Sequence, residues 1–285
     1  MKKIIVTGCN GQLGRAFNKV MAGSGEYELV NTDVAELDIT DIDKVMALAR
    51  EVKPYAILNC AAHTNVNGCE TDRDNAFMIN AIGARNLSIA AQETGAKMIQ
   101  ISTDYVFSGN TGRRYREFDQ VDPMSAYGST KLQGENFVKD FSSRYFILRT
   151  AWLYGEGNNF VKTMLRLSET NETVQVVHDQ FGTPTYAMEL AKAVAYLLPT
   201  ENYGIFHATC EGECSWADFA REIFRLAGRS TVVEGITTEE YDKKFPGQAQ
   251  RPMYSVLDNY MFDRTTDFRF APWETAIAEY IKTLQ

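Results

Sequence analysis

The 285-residue sequence predicts an α/β fold in which helices cover both faces of a doubly wound parallel sheet, with a smaller C-terminal lobe interleaved with the last strands. Three observations carry this reading. Short apolar runs alternate with helix-period segments through the first half of the chain. A glycine loop joins the first run to the first helix, and the polar motifs all fall where strands end. Ligands of such sheets bind beyond the carboxyl ends of the strands, so the motifs lie where a site is expected.

Strands are expected at 4–7, 28–31, 56–60, 98–102 and 145–149, rich in β-branched residues. Helices are expected at 13–21, 42–52, 75–94 and 131–141, where apolar residues recur every three or four positions. The second half is less regular, with helices at 160–167, 188–198 and 216–227 and strands at 173–177 and 204–209. The tail carries Pro246, Pro252 and Pro272 and few strong periods. Residues 1–155 therefore form a dinucleotide-binding domain, to which 173–207 add strands and a helix. Residues 156–172 and 208–285 make the smaller, substrate-binding lobe.

Composition narrows the function classes. A hydrophobic share of 45% supports a real core, and the net charge of −8 comes without a basic stripe, which argues against nucleic acid as a partner. No run of eighteen apolar residues suggests a membrane span, and the apolar stretch after Met1-Lys2-Lys3 is too short for a signal peptide. Five cysteines, an odd number without framework spacing, fit reduced thiols in a cytoplasm. Cys210 and Cys214 have neither a second pair nor a nearby histidine to complete a zinc site, so no metal is assigned.

Gly8-Cys9-Asn10-Gly11-Gln12-Leu13-Gly14 follows a strand and opens a helix. Its GxxGxxG spacing lets the backbone turn tightly and approach a pyrophosphate, which the free N–H groups of the helix N-terminus then bind. Asp33, 19 positions after Gly14, is placed to accept hydrogen bonds from an adenosine ribose and to repel a 2′-phosphate. With Val34 and Ala35 offering no cation, NADH is favoured and NADPH is the second choice. Asp38 and Ile39, in Asp38-Ile39-Thr40-Asp41, either reach the adenine or, for Asp38, cap the next helix. Ala61, Ala62 and His63, ending the third strand, read as a wall against a bulky ligand, with a catalytic His63 as the alternative.

Tyr127-Gly128-Ser129-Thr130-Lys131 is a YxxxK motif, which puts phenol and ammonium on one helix face about one turn apart. An ammonium nearby favours the phenolate and brings the phenol toward the working range of an acid–base catalyst. Ile101-Ser102-Thr103-Asp104-Tyr105 ends the fourth strand, where a hydroxyl can polarise a substrate carbonyl; Thr103 is preferred to Ser102.

These motifs, in this order, resemble the extended short-chain dehydrogenase/reductase family, of Rossmann fold. The similar stretches continue through Leu37-Asp38-Ile39-Thr40-Asp41, Asn59-Cys60-Ala61-Ala62-His63-Thr64 and Arg149-Thr150-Ala151-Trp152-Leu153-Tyr154-Gly155. They run on through Asp179-Gln180-Phe181-Gly182-Thr183-Pro184-Thr185 to Arg251-Pro252, nearly the full length. The resemblance implies NAD(P)H-dependent reduction of the C4 ketone of dTDP-4-dehydro-L-rhamnose, giving dTDP-L-rhamnose for cell-surface polysaccharide. It implies that Tyr127 protonates the C4 alkoxide with help from Lys131, and that Thr103 orients the ketone. Asp104 is implied to bind the sugar hydroxyls, Trp152 to stack on the sugar, and Arg251 to hold the diphosphate. Some members use magnesium at a dimer contact. No carboxylate cluster assigns one here, so magnesium stays unassigned and a homodimer is admitted without being required. The rivals are an epimerase or dehydratase of the same fold, and a non-catalytic regulatory homologue, which would need a damaged Tyr–Lys pair.

Overall fold

The structure, a computed structural model, describes residues 1–284. The chain begins β1 (Lys2–Thr7), α1 (Gln12–Met21), β2 (Tyr27–Thr32), α2 (Ile42–Val52) and β3 (Ala56–Asn59). Two short helices, α3 (Val66–Thr71) and α4 (Arg73–Phe77), lead through a π-helical turn (Met78–Ile82) into α5 (Gly83–Thr94). Next come β4 (Lys97–Thr103), α6 (Ala126–Phe141), β5 (Tyr145–Thr150), β6 (Leu153–Tyr154), α7 (Phe160–Leu167) and β7 (Thr173–Val177). β8 (Phe181–Gly182), β9 (Thr185–Tyr186), α8 (Ala187–Leu197), β10 (Gly204–His207), β11 (Cys214–Ser215) and α9 (Trp216–Leu226) follow. The chain closes with β12 (Val232–Ile236), α10 (Thr238–Lys244), α11 (Tyr260–Thr265) and α12 (Trp273–Lys282).

Six strands form one parallel sheet in the order β2-β1-β3-β4-β5-β10. Alternation along β1 sends Ile4 and Val6 into one core with Phe17 of α1 and Leu190 of α8, and Ile5 into the other. That second core holds Val45 and Ala49 of α2 with Leu87 and Ala91 of α5, so helices cover both faces as the period-2 pattern demands. The chain builds outward from β1 to β2, then returns to place β3 on the other side of β1. The order reverses between β1 and β3, and the crevice at their carboxyl ends is the topological switch point.

Four expectations need correction. The strand at Thr173–Val177 does not extend the large sheet. It pairs in parallel with Val232–Ile236, because Val174 and Val176 bury into the lobe's own core with Phe219 and Ile223 of α9 and Ile277 of α12. Of the 173–207 segment, β10 joins the large sheet and α8 packs into its core, while β9 pairs with β6. Conversely, the tail is not wholly lobe, since Phe262 and Phe270 return to the sheet's core. Asp38 does not cap α2. Asp41 does, accepting from the N–H groups of Asp43 and Lys44, while Asp38 accepts from the N–H and hydroxyl of Thr40. Finally, the single helix expected at 75–94 is split by the π-turn, which places Asn80 inside the site.

Candidate active site

The glycine loop is shaped by how close its neighbours come. Gly8 has φ +62°, and a Cβ there would lie 2.7 Å from the amide nitrogen of Ala61 at the end of β3. A Cβ on Gly14 would lie 2.6 Å from the Gly8 carbonyl oxygen, so the loop and the first turn of α1 fit only without side chains. Gly11 is the N-cap of α1 and supplies no side-chain cap, which leaves the first-turn N–H groups, at Gln12 and Leu13, free to meet an anion. The Asn10 N–H donates to Asp33 Oδ2 at 3.1 Å, tying the loop to the acid after β2. Val34 beside it is 77% exposed, an apolar surface against which an adenine can lie. These features fit a dinucleotide.

Behind Asp33, Asn86 of α5 donates to the carbonyls of Ile39 and Thr40, and the Ile39 side chain packs into the core over Gly83. Ile39 therefore presents main chain, not side chain, to a ligand. Across the crevice, Ala61, Ala62 and His63 are half-buried. Asn80 grips the His63 backbone, accepting from its N–H (2.8 Å) and donating to its carbonyl (3.1 Å), and also donates to Thr130 of α6 (3.1 Å). Cys69 lies 3.1 Å from His63 Nδ1. Burial pushes that thiol's pKa up, so it stays protonated and can donate to Nδ1, leaving the ring proton on Nε2. His63 is thus held both by its backbone and at its ring.

Tyr127 and Lys131 lie on α6, capped by the Ser125 side chain on the Gly128 N–H. Burial pushes the Tyr127 phenol well above its ordinary pKa, and the nearby Thr103 hydroxyl opposes this. The phenol is therefore protonated at neutral pH, the form a proton donor needs. Lys131 does not engage it directly. Its Nζ donates to the Ile101 carbonyl at 2.6 Å, and burial lowers its pKa to about 8. One turn beyond, Glu135 is clamped by Arg149 of β5 at 2.9 and 2.7 Å and by the Ser102 hydroxyl at 2.5 Å. The Glu135 charge pulls the Lys131 pKa back up, and burial outweighs it.

Thr103 donates to Asp104 Oδ1 at 3.0 Å, while Asp104 Oδ2 makes no hydrogen bond of normal geometry although buried. Desolvation raises the Asp104 pKa to about 6, with Ser255 and Thr103 pulling it back. The Tyr105 ring stands edge-on to Tyr127, centroids 5.5 Å apart; burial pushes its phenol pKa up and the nearby Arg251 guanidinium opposes this. Arg251 in turn lines a cleft of about 810 Å3 in the lobe, with Phe160, Trp216, Tyr241, Gln180 and Gln250. Met124, three residues before Tyr127 in sequence, lines the same cleft. Trp152 takes a strained φ of +47° and stacks on Trp216 at 3.5 Å. Trp216, not Trp152, is the member of the pair that lines the cleft.

Sequence reasoning missed Asn80, Tyr105, Glu135 and Trp216. Glu135 was findable as the next residue on the Lys131 face, four positions on, and Tyr105 sits inside a motif already singled out. A lone asparagine in Met78-Ile79-Asn80-Ala81-Ile82 is a polar residue in an apolar helix run, the one signal for Asn80.

A tight glycine loop at the switch point, with a half-buried phenol and an ammonium one helical turn apart on α6, fits the short-chain dehydrogenase/reductase class. Within it, the chain belongs to the family described as RmlD substrate binding domain, whose model matches residues 1–285. It is 38% identical to a dTDP-4-dehydrorhamnose reductase of Aggregatibacter actinomycetemcomitans, over 97% of each chain. A crystal structure of a dTDP-4-dehydrorhamnose reductase from Clostridium acetobutylicum superposes with a TM-score of 0.96 at 52% identity, covering 99% of both chains. The Bacillus anthracis enzyme of the same name, solved in complex with NADP, gives 0.95 at 41% identity, covering 99% of this chain and 100% of that one.

Proposed function

We propose that this chain reduces the C4 ketone of dTDP-4-dehydro-L-rhamnose to dTDP-L-rhamnose with a nicotinamide cofactor, a step toward cell-surface polysaccharide. The observation that carries the reading is geometric: Tyr127 stands on α6 edge-on to Tyr105, just past the end of β4, with Lys131 one helical turn on and held to the Ile101 carbonyl of β4. When bound, the reduced nicotinamide supplies a hydride. The chain's own residues do the rest. Gly8, Asn10, Gly11, Gln12, Leu13 and Gly14 hold the pyrophosphate through backbone N–H groups and close approach. Asp33 takes the adenosine ribose, which favours NADH over NADPH, and Asp38 and Ile39 border the adenine. Ala61, Ala62 and His63 form the wall opposite.

Thr103 orients the C4 carbonyl and Tyr127 gives its proton to the developing alkoxide. Lys131, whose pKa near 8 keeps it charged at neutral pH, stabilises the phenolate that remains and can return a proton to it. Asp104 takes sugar hydroxyls with its unpartnered Oδ2. Arg251 grips the diphosphate at the inner end of the cleft, and the Trp152–Trp216 pair supplies the apolar surface for the sugar. Magnesium stays unassigned. The five free cysteines suit a reducing cytoplasm.

The test is absorbance at 340 nm with NADH while dTDP-, UDP- and GDP-linked 4-ketosugars are offered in turn. Consumption of NADH with the dTDP-4-dehydro-L-rhamnose arm supports the reading. Turnover without consumption of added reductant would mark an epimerase instead.

A further inference from the structure

A buried row of side chains crosses three neighbouring strands beneath the crevice. Thr7, Asn59 and Gln100 stand in register on β1, β3 and β4, and all three are almost wholly shielded from solvent. The Thr7 hydroxyl donates to Asn59 Oδ1 at 2.7 Å, Asn59 Nδ2 donates to Gln100 Oε1 at 2.8 Å, and Gln100 Nε2 donates to the Ile101 carbonyl at 2.8 Å. Lys131 Nζ donates to that same carbonyl at 2.6 Å.

The polarity of this row is not arbitrary. The Ala61 main-chain N–H, which can only donate, points at Asn59 Oδ1 at 3.1 Å. That fixes the Asn59 amide, which fixes the Gln100 amide, because flipping either would set two donors face to face. Gln100 must therefore offer its NH2 to Ile101. Ala61 is also the residue against which Gly8 packs, so the row starts at the cofactor loop and ends at the lysine.

We propose that Gln100 is a positioning residue for Lys131, acting through the Ile101 carbonyl that the two side chains share. Two donors on one oxygen divide its accepting capacity, so Gln100 weakens the hold on the ammonium and frees it to turn toward Tyr127 and the ribose. The charged and titratable groups around Lys131 are few. Tyr127 and Glu135 flank it on its own helix, Arg149 of β5 is locked onto that carboxylate, and the Cys60 thiol stands at the end of β3. None of them contacts Gln100 through a hydrogen bond, so a change at Gln100 reaches Lys131 by way of the carbonyl.

The inference rests on the role proposed for Lys131, but its test does not require turnover. The titration of the Lys131 ammonium is followed by nitrogen-15 NMR in the cofactor-free protein, for wild type, Gln100→Leu, Gln100→Met and Gln100→Glu. Removing the competing donor strengthens the remaining bond to the charged form, so the Lys131 midpoint should rise by about half to one pH unit in Gln100→Leu. Gln100→Glu keeps the acceptor that Asn59 needs, loses the donor and adds charge, so its midpoint should rise at least as far. Because that added charge raises the midpoint by itself, Gln100→Met, which removes the donor without adding charge, decides the matter if Gln100→Leu does not fold. Ser88→Ala removes a buried hydrogen bond within α5 that is not part of the row, and controls for loss of stability alone; its Lys131 midpoint should match wild type. Unchanged midpoints in the foldable uncharged Gln100 variants, with melting temperatures lowered as in Ser88→Ala, would reduce Gln100 to a structural residue. A Lys131→Met variant with full reductase activity would instead overturn the role given to Lys131 and leave the titration result standing.

Discussion

Gly8→Ala is the substitution that separates the loop's shape from its chemistry. Gly8 has φ +62°, where a side chain costs about 1–2 kcal/mol. The new Cβ would also sit 2.7 Å from Ala61 N and 2.8 Å from Ala61 Cα, against an ordinary contact of 3.4 Å or more. Loop and β3 terminus must therefore part by roughly 0.7 Å, and overpacking of this kind typically adds about 1–3 kcal/mol. Gly23→Ala supplies the comparison. Its φ is +79° with nothing within 4 Å, so it carries the conformational cost without the clash. By urea denaturation, Gly8→Ala should lose two to three times as much stability as Gly23→Ala. By fluorescence titration it should bind NADH at least about tenfold more weakly, since the N–H groups that meet the pyrophosphate move with the loop. Gly23→Ala should bind NADH as wild type does. Wild-type NADH affinity in Gly8→Ala would refute the placement of the pyrophosphate.

Three further outcomes follow from the same geometry. Asp33→Ala should narrow the preference for NADH over NADPH in kcat/KM; a wild type that prefers NADPH tenfold would show that the acid does not repel the 2′-phosphate. Arg251→Ala should raise the KM for the nucleotide sugar about ten- to hundredfold while leaving NADH affinity within twofold, the scale of one charge-assisted bond, and an unchanged KM would move the diphosphate elsewhere. Asp104 has its carboxyl raised from 3.8 to about 6, so ionising it costs the fold about 3 kcal/mol above pH 6 and nothing below pH 4. Asp104→Asn should therefore gain stability relative to wild type as pH rises from 4 to 7 and level off beyond, and a pH-independent difference in urea melts would contradict the shift.

The alternation of strands and helices was legible because each inner strand is a β-branched or apolar run buried on both faces, and the motifs were legible because they sit at strand ends. The lobe was harder to read for physical reasons that differ by element. α10 buries none of its residues and so carries no apolar stripe. β7 and β12 are short strands that pair only with each other, a non-local choice invisible to periodicity. α12 was readable and overlooked: Trp273, Ala276, Ile277, Tyr280 and Ile281 follow the i, i+3, i+4, i+7, i+8 spacing and all are buried. In the site, the YxxxK spacing placed Tyr127 and Lys131 correctly on one helix. It could not show that Lys131 rests on the Ile101 carbonyl, since that depends on β3 ending opposite Gln100. The resemblance implied Trp152 as the sugar's partner; that Trp152 stacks on Trp216, 64 positions away in sequence, is a non-local contact that no spacing shows.

The central claim is that Tyr127 donates the proton, and single-turnover kinetics of Tyr127→Phe with NADH and dTDP-4-dehydro-L-rhamnose tests it most directly. The ring and its edge-on contact with Tyr105 are kept, so the fold and NADH affinity should stay near wild type while the rate of NADH oxidation falls by roughly 10²–10⁴. A variant that binds NADH normally and oxidises it at a near wild-type rate would contradict the account and turn the search for the acid to His63 and Asp104.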